Sequence, residues 1–198
     1  FHDLDVAFMM HGGPNTCTDV RCLAQRSFHV TFHGKRAHAA LAPDKGRSAF
    51  DALLAAFQGI EFLREHVPDD VRMHYTVAKL PGPANVVPAE AEGEFAIRSF
   101  SRKTLEGVCE RFLDIIKGAS LIAGVDYEIK EGTFFFNKIP VLKLNELLMN
   151  NAKLAGAPQL APPREKTGST DFGNVMYEIP GSCIRVAFVP EGTSSHSQ

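Results

Sequence analysis

The stretch SFHVTFHGKRAHAALAPDKGRSAFDALLAAFQGI, residues 27–60, decides the fold of the central part of the chain. Its beginning alternates apolar and polar residues, which is typical of a strand with one buried face. From Ser48 the apolar residues follow helical spacing, and Ser48 and Asp51 have the positions of a capping box. Between these elements lies a loop of small residues that carries His38. The stretch therefore predicts a strand, a loop with an exposed imidazole and an amphipathic helix.

The following residues repeat this pattern with a hairpin inserted. Residues 71–78 and 89–99 alternate like strands, and the turn-rich segment LPGPANVVP separates them. Ser101 begins a second amphipathic helix that Gly124 ends, and Tyr127 lies in a fourth strand. Each strand has only one apolar face, so a sheet with helices on one side is expected. The pattern predicts an α+β fold, a ferredoxin-like βαββαβ unit with a four-stranded antiparallel sheet and both helices on one face.

The flanking segments do not fit that unit. LDVAFMMH, residues 4–11, is a continuous apolar run typical of a buried strand in an α/β sheet, and PGSCIRVAFVP, residues 180–190, is similar. A helix is expected between Pro140 and Gly156. The simplest interpretation is a small domain inserted into a larger α/β domain that is incomplete within this sequence. The predicted boundaries are residues 1–24, 25–134 and 135–198.

Composition excludes several classes of partner. The 198 residues are 44% hydrophobic and 22% charged, with a net charge of −2. The sequence has no basic block, so we expect no nucleic-acid partner, and it has no apolar run of membrane-spanning length and no signal peptide, so we expect no membrane partner. The four cysteines form no C-x-x-C pair. They favour reduced thiols and a cytoplasmic location.

Two histidines follow apolar strands and are candidate metal ligands. His11 ends the run at residues 4–11, and His196 lies in a Ser/Thr-rich loop after the run at residues 180–190. Strand ends are where α/β sheets form sites, so these side chains could share a metal. A single histidine is nevertheless more often a surface or core residue.

Other polar residues have both a functional and an ordinary interpretation. His38, Asn85 and Arg98 fall in the central unit, and an arginine suits bidentate carboxylate binding, but each alone is compatible with a solvated surface. In TGSTDFGN, residues 167–174, the amides could bind a carboxylate, or Ser169 or Thr170 could simply cap a helix.

Taken together, the motifs resemble a known family. DVAFMMHGGP, VTFHGKRAHAALAPDKGRSAFDALLAA, VRMHYTV, PANVVPAEAEGEFAIRSFSRKTLE, GSTDFGNV and SSHS occur in the order seen in the metal-dependent aminoacylase/carboxypeptidase family of amidohydrolases. The subgroup they resemble contains aminobenzoyl-glutamate hydrolases, auxin-conjugate hydrolases and related dipeptidases. The resemblance covers nearly the whole chain.

The resemblance implies a fold, cofactors and a partner. Members have a catalytic α/β domain with two divalent metal ions, zinc or manganese, and an inserted ferredoxin-like lid that forms a homodimer. Residues 25–134 would be the lid, and the flanks would be segments of the catalytic domain. The implied substrates are small amides, namely N-acyl amino acids, aminoacyl conjugates or dipeptides, cleaved by metal-activated water.

The resemblance also implies roles for individual residues. His11 and His196 resemble metal ligands, and His38 resembles the lid histidine that reaches the partner subunit's active site and stabilises the oxyanion. Asn85 and Arg98 resemble groups that hold the substrate and its carboxylate, and Gly168 and Ser169 would line the pocket near that carboxylate.

The sequence departs from the family pattern in two places. The earlier metal ligands and the general-base glutamate would precede residue 1, so we expect no turnover from residues 1–198 alone. The glycine pair usual before the PANVVP segment is replaced by Leu80-Pro81-Gly82-Pro83. An alternative in another class is a non-catalytic module that dimerises and binds carboxylates.

Overall fold

The structure is a computed structural model that describes residues 3–190 and 192–193. Its contacts divide the chain into two compact units. The central unit is Gln25–Phe134, and the flanking unit combines the described residues up to Ala24 with those from Phe135 onward. In chain order the elements are β1 (Ala7–Gly13), β2 (Cys17–Cys22), β3 (Ala24–His33), α1 (Ala49–Arg64), β4 (Arg72–Lys79), β5 (Glu90–Ser99), α2 (Arg102–Ala123), β6 (Asp126–Phe135), α3 (Leu142–Leu154), β7 (Arg164–Thr167), α4 (Phe172–Met176) and β8 (Gly181–Ala187).

The central unit has the predicted ferredoxin-like architecture. Its strands lie in the order β4-β5-β3-β6, and β4 pairs with β5 antiparallel, with Arg72 opposite Arg98 and Val77 opposite Gly93. The helices α1 and α2 contact each other, and both contact β5. Both helices therefore cover the same face of the sheet, as the one-sided apolar alternation of the strands predicts.

Local sequence signals begin and end the two helices where expected. The Ser48 side chain accepts a hydrogen bond from the Asp51 amide at 3.2 Å, and Ser101 accepts one from Thr104 at 3.2 Å. These bonds satisfy amides that the first helical turn leaves unpaired. Gly124 ends α2 with a φ of 63°, a left-handed conformation that glycine adopts without a steric penalty.

Aromatic rings fill the space between the sheet and its helices. The Phe28 and Phe112 ring centroids are 4.8 Å apart, and those of Phe95 and Phe112 are 5.1 Å apart. At the sheet edge Phe57 stacks on Tyr75 with a centroid distance of 4.3 Å. Tyr75 still keeps 37% of its surface exposed, because β4 has a neighbour on one side only.

The flanking unit is a mixed sheet with two helices. The strand order is β1-β8-β2-β7, in which β1 and β8 run parallel, β2 runs antiparallel to β8, and β7 runs parallel to β2. Helix α3 contacts β2 and β8, and α4 contacts β1. Phe172, Met176 and Cys183 form a small core, with Met9 among the residues packed against it.

The prediction that the run at residues 4–11 is buried is wrong. The run does contain a parallel strand, β1, but Phe8 is 49% exposed and Met10 is 75% exposed. The reason is that β1 lies at the edge of its sheet, and none of the described elements covers the face that carries these two side chains. The strands β2 and β7 were not predicted at all.

No helix in the described part of the chain is long and apolar enough to cross a membrane.

Candidate active site

His38 lies on the loop between β3 and α1, and its ring is exposed. The ring Nδ1 is 3.3 Å from the backbone nitrogen of Ala40 and 3.3 Å from that of Leu41. The chain turns tightly here, because the Ala42 amide donates to the His38 carbonyl oxygen at 3.0 Å. Small alanine side chains on both sides of His38 let the loop fold back onto the ring.

Asn85 lies beside His38, as backbone hydrogen bonds show. The Ala39 amide donates to the Asn85 carbonyl oxygen at 3.0 Å, and the Val87 amide donates to the Ala37 carbonyl oxygen at 3.0 Å. His38 and Val86 face each other in an antiparallel bridge. The loop that carries His38 and the loop that carries Asn85 are therefore joined as a small two-stranded ribbon, and both side chains are exposed.

Arg98 lies at the other end of the same sheet. The Asn85 loop leads into the first residue of β5, Glu90, and Arg98 follows eight residues later on that strand. At about 3.3 Å per residue the separation along β5 is about 25 Å. The Arg98 side chain is half-buried, and its Nε is buried without a hydrogen-bond partner in the described residues. The central unit thus brings His38 and Asn85 together and keeps Arg98 away from them.

His11 lies near the end of β1 and is exposed. Its Nδ1 is 2.6 Å from the Gly12 carbonyl oxygen and 3.2 Å from Nη1 of Arg185. A carbonyl oxygen can only accept and a guanidinium can only donate, so these two contacts require opposite protonation of Nδ1 and do not fix the tautomer of His11. An Nδ1–H donated to a carbonyl is how metal-binding histidines are commonly oriented.

A metal site needs more than this one side chain. Among residues 3–190 and 192–193, no group of three or more His, Cys, Asp or Glu side chains could hold a metal ion. The other histidine expected to bind metal, His196, lies outside the described residues. Because a protein metal site takes three or four donors in fixed geometry, the described residues do not form the site by themselves.

Behind His11 lies a buried ionic cluster that the sequence did not reveal. The Asp19 carboxylate accepts hydrogen bonds from Lys138 Nζ at 3.0 Å and from Arg185 Nε at 3.0 Å, and its side chain is fully buried. Burial acts to raise the pKa of Asp19, but the hydrogen bond from Arg185 and the charge of Lys138 outweigh it and hold the pKa below its ordinary value. The three charges lie far apart in sequence, on β2, on the loop after β6 and on β8, and no local pattern identifies them as partners.

Gly168 and Ser169 follow β7 in the flanking unit. Gly168 is exposed, and the Ser169 hydroxyl oxygen is buried with no hydrogen-bond partner in the part of the chain described. Because β7 and β1 run in opposite directions, their carboxyl ends lie at opposite ends of the strands in the sheet. The residues that follow β7 are therefore at the other end from the residues that follow β1. The flanking unit therefore does not bring Gly168 and Ser169 beside His11.

The cysteines offer no reactive thiolate. All four are unpaired and buried. Burial raises the pKa of Cys109 to about 12 and that of Cys183 to about 11, so both thiols are neutral near pH 7. Neutral buried thiols are inert as nucleophiles, so the cysteines are not candidates for the catalytic groups.

Comparison with known proteins gives one family match within the chain. Residues 25–121 match the family model described as a peptidase dimerisation domain. This range covers most of the central unit, including the segments that carry His38, Asn85 and Arg98.

Curated relatives extend the similarity into both flanks. The chain is 29% identical over 185 residues to the Xaa-Arg dipeptidase of Homo sapiens, which covers 91% of this chain and 42% of the relative. It is 31% identical over 165 residues to a p-aminobenzoyl-glutamate hydrolase subunit of Escherichia coli (strain K12), which covers 80% of this chain and 34% of that protein. The chain therefore spans less than half the length of these relatives.

A solved structure shows the same fold. The aminobenzoyl-glutamate utilization protein from Klebsiella pneumoniae superposes with a TM-score of 0.75 at 22% sequence identity. The match covers 94% of this chain and 51% of that chain. At this identity the likeness establishes the arrangement of the elements.

Proposed function

We propose that the protein is an amidohydrolase, because residues 25–121 match the model of a peptidase dimerisation domain and the curated relatives include a dipeptidase and an aminobenzoyl-glutamate hydrolase. Its substrates are N-acyl amino acids, aminoacyl conjugates or dipeptides. The reaction is hydrolysis of the amide bond that joins the amino acid to its partner group.

The observation that carries this proposal is the placement of polar groups at the two ends of one sheet. His38 and Asn85 lie together on the loops beyond the Glu90 end of β5, and Arg98 lies near the other end of this strand, about 25 Å from Glu90. A dipeptide-sized substrate cannot contact both ends of one copy. Two copies arranged side by side can place the His38 end of one beside the Arg98 end of the other.

The dimer itself would form through α1 and the edge strand β4. On α1 the side chain of Phe62 is 63% exposed and Leu54 is also exposed, and on β4 Tyr75 and Val77 keep apolar surface in contact with solvent. An edge strand also presents unpaired backbone groups that another strand can join. We expect a homodimer, since two-fold symmetry is the commonest arrangement of identical chains.

Each of the site residues would have a separate role in binding the substrate or stabilising the oxyanion. Arg98, whose buried Nε has no partner among the described residues, would bind the substrate carboxylate, because a guanidinium pairs with two carboxylate oxygens at once. Gly168 and Ser169 would line the pocket near this carboxylate, and the Ser169 hydroxyl, which has no partner within residues 3–190 and 192–193, supports that role. Asn85 would hold the substrate, and His38 would donate to the carbonyl oxygen as it becomes an oxyanion.

The activating metal ions would involve His11 and His196. We propose two divalent ions, zinc or manganese, which would supply the activated water. The contact between His11 Nδ1 and the Gly12 carbonyl oxygen is one that metal-binding histidines commonly make, but the described residues supply too few donors, so the other ligands would lie outside them. What the described residues contribute is substrate binding and oxyanion stabilisation.

The proposed location is the cytoplasm. The four cysteines are buried free thiols, which persist in a reducing compartment.

A substrate screen of the full-length protein tests the function. We would incubate it with N-acyl amino acids, aminoacyl conjugates and dipeptides, after loading with zinc, manganese or no metal, and measure the released amine. Hydrolysis of at least one class that depends on added metal and disappears with a chelator is expected. A protein that dimerises and binds free carboxylates but releases no amine from any class would instead be the non-catalytic module.

A further inference from the structure

Two backbone amides are directed at one nitrogen of the His38 ring. The amide nitrogens of Ala40 and Leu41 each lie 3.3 Å from Nδ1. An amide N–H can only donate, so Nδ1 faces both of them with its lone pair. In the neutral ring the proton is then carried by the other nitrogen, Nε2.

We propose that the loop at residues 38–42 holds His38 in a single tautomer and presents its Nε2–H as a fixed hydrogen-bond donor. The inference rests on the proposed function, because it assigns this donor to the carbonyl oxygen of the substrate. Ala40 and Leu41 are positioning residues, since their amides act through the His38 ring and contact no reacting atom.

The surrounding backbone makes this donor rigid. The Ala42 amide bonds to the His38 carbonyl oxygen at 3.0 Å and closes the turn, and the Ala39 amide bonds to the Asn85 carbonyl oxygen at 3.0 Å. The backbone that carries the ring is thereby fixed within its own loop and to the Asn85 loop. A donor that is already oriented needs no rearrangement when negative charge develops on the oxygen, which is what makes such groups effective.

The tautomer also limits what His38 can do. With the proton on Nε2 and the lone pair of Nδ1 occupied by two amides, the outward-facing nitrogen can donate but cannot accept. His38 in this state therefore stabilises an oxyanion and does not remove a proton from water.

Nitrogen NMR of the 198-residue chain tests the tautomer directly. The histidines would be labelled with ¹⁵N, and His38 would be assigned by its loss in His38→Gln. At a pH of about 8, above the range where an ordinary imidazole titrates, His38 should show a protonated Nε2, an unprotonated Nδ1 and no second tautomer. The exposed His66 is the internal reference and should show both tautomers in exchange. A protonated Nδ1 on His38, or a mixture equal to that of His66, would overturn the proposal.

A pair of substitutions at one position separates the amide from the side chain. Leu41→Pro removes the backbone N–H and should bring the second tautomer of His38 into view, whereas Leu41→Ala keeps the amide and should leave the spectrum unchanged. An identical spectrum in Leu41→Pro and the wild type would contradict the role of this amide, and if Leu41→Pro fails to fold, the wild-type measurement still decides. These spectra need no substrate, so a single Nε2–H tautomer of His38 together with no hydrolysis by the full-length protein in the substrate screen would refute the proposed function alone.

Discussion

Arg98 and Ser169 each have a buried polar atom that is available to a ligand. The Arg98 Nε and the Ser169 hydroxyl oxygen are buried without hydrogen-bond partners in the described residues, although an unpaired buried polar atom typically costs about 1–3 kcal/mol. A ligand that supplies the missing acceptor or donor would recover that cost. Both residues are ones for which the family resemblance implies contact with a substrate carboxylate.

Replacing His38 tests the chemistry at a single side chain. In the full-length enzyme His38→Ala should lower kcat on the order of a hundredfold while changing KM much less, because an oxyanion donor acts mainly in the transition state. Steady-state kinetics on the best substrate from the screen would measure this. His66→Ala removes an exposed imidazole just after α1 and should retain wild-type kinetics. A rise in KM with an unchanged kcat would mean that His38 only binds the substrate.

The buried carboxylate of Asp19 should make the free energy of unfolding depend on pH. Its pKa is lowered in the folded state, so on acidification the unfolded chain binds this proton first and the free energy of unfolding falls. The contribution of Asp19 should be complete above a pH of about 5 and be lost as the pH falls below about 4 toward the folded pKa. Urea unfolding over this range would measure the loss.

Two variants isolate that contribution. Asp19→Asn leaves the charges of Lys138 and Arg185 without their carboxylate and should cost about 3–5 kcal/mol above pH 5. The gap between wild type and variant should shrink on acidification, since protonated Asp19 and asparagine are similar. Asp114→Asn changes an exposed carboxylate and should follow the wild-type curve. A gap that stays constant down to pH 3 would show that folding does not lower the pKa of Asp19.

At the scale of elements, sequence predicted the central unit well and the flanking unit less well. The strands of the central unit have one apolar face, and serine caps begin its helices, so local pattern and tertiary position agree. The strand β2 reads CTDVRC and β7 reads REKT, and neither alternates clearly. Strand β2 pairs with β8 and carries Asp19, which pairs with Arg185 on β8, and β7 pairs with β2; these are long-range contacts that no local pattern encodes.

A pair of glycine substitutions tests how β3 meets α1. A Cβ on Gly34 would overlap the carbonyl oxygen of Arg47 and lie 2.9 Å from the backbone nitrogen of Ala49, so Gly34→Ala should destabilise the protein by about 1–3 kcal/mol. Gly107 lies inside α2 with open space around it, so Gly107→Ala should stabilise by about 0.5–1 kcal/mol. Thermal unfolding compares the two. Equal effects of both substitutions would contradict the close approach of β3 and α1.

At the scale of the whole molecule, the site residues are dispersed in a way that sequence alone did not show. The resemblance implies that His38, Asn85 and Arg98 serve one site, yet Arg98 lies at the far end of β5 from the loops that carry the other two, about 25 Å from Glu90. Sequence order contains no information about which end of a strand faces a second copy. The resemblance implies a homodimer. The separation of these residues along β5 is a physical reason why one site would take residues from two copies.

This separation predicts a specific result when two inactive enzymes are mixed. If each site takes His38 from one subunit and Arg98 from the other, a heterodimer of His38→Ala with Arg98→Ala has one site with both residues and one site with neither. Random exchange at equal amounts makes half of the dimers mixed, each with one of two sites restored, so about a quarter of the wild-type activity should return. The control mixes two batches of His38→Ala, and mass spectrometry of differently tagged subunits confirms exchange. If His38 and Arg98 served the same site from one chain, each mixed site would lack one of them, and verified exchange would restore nothing.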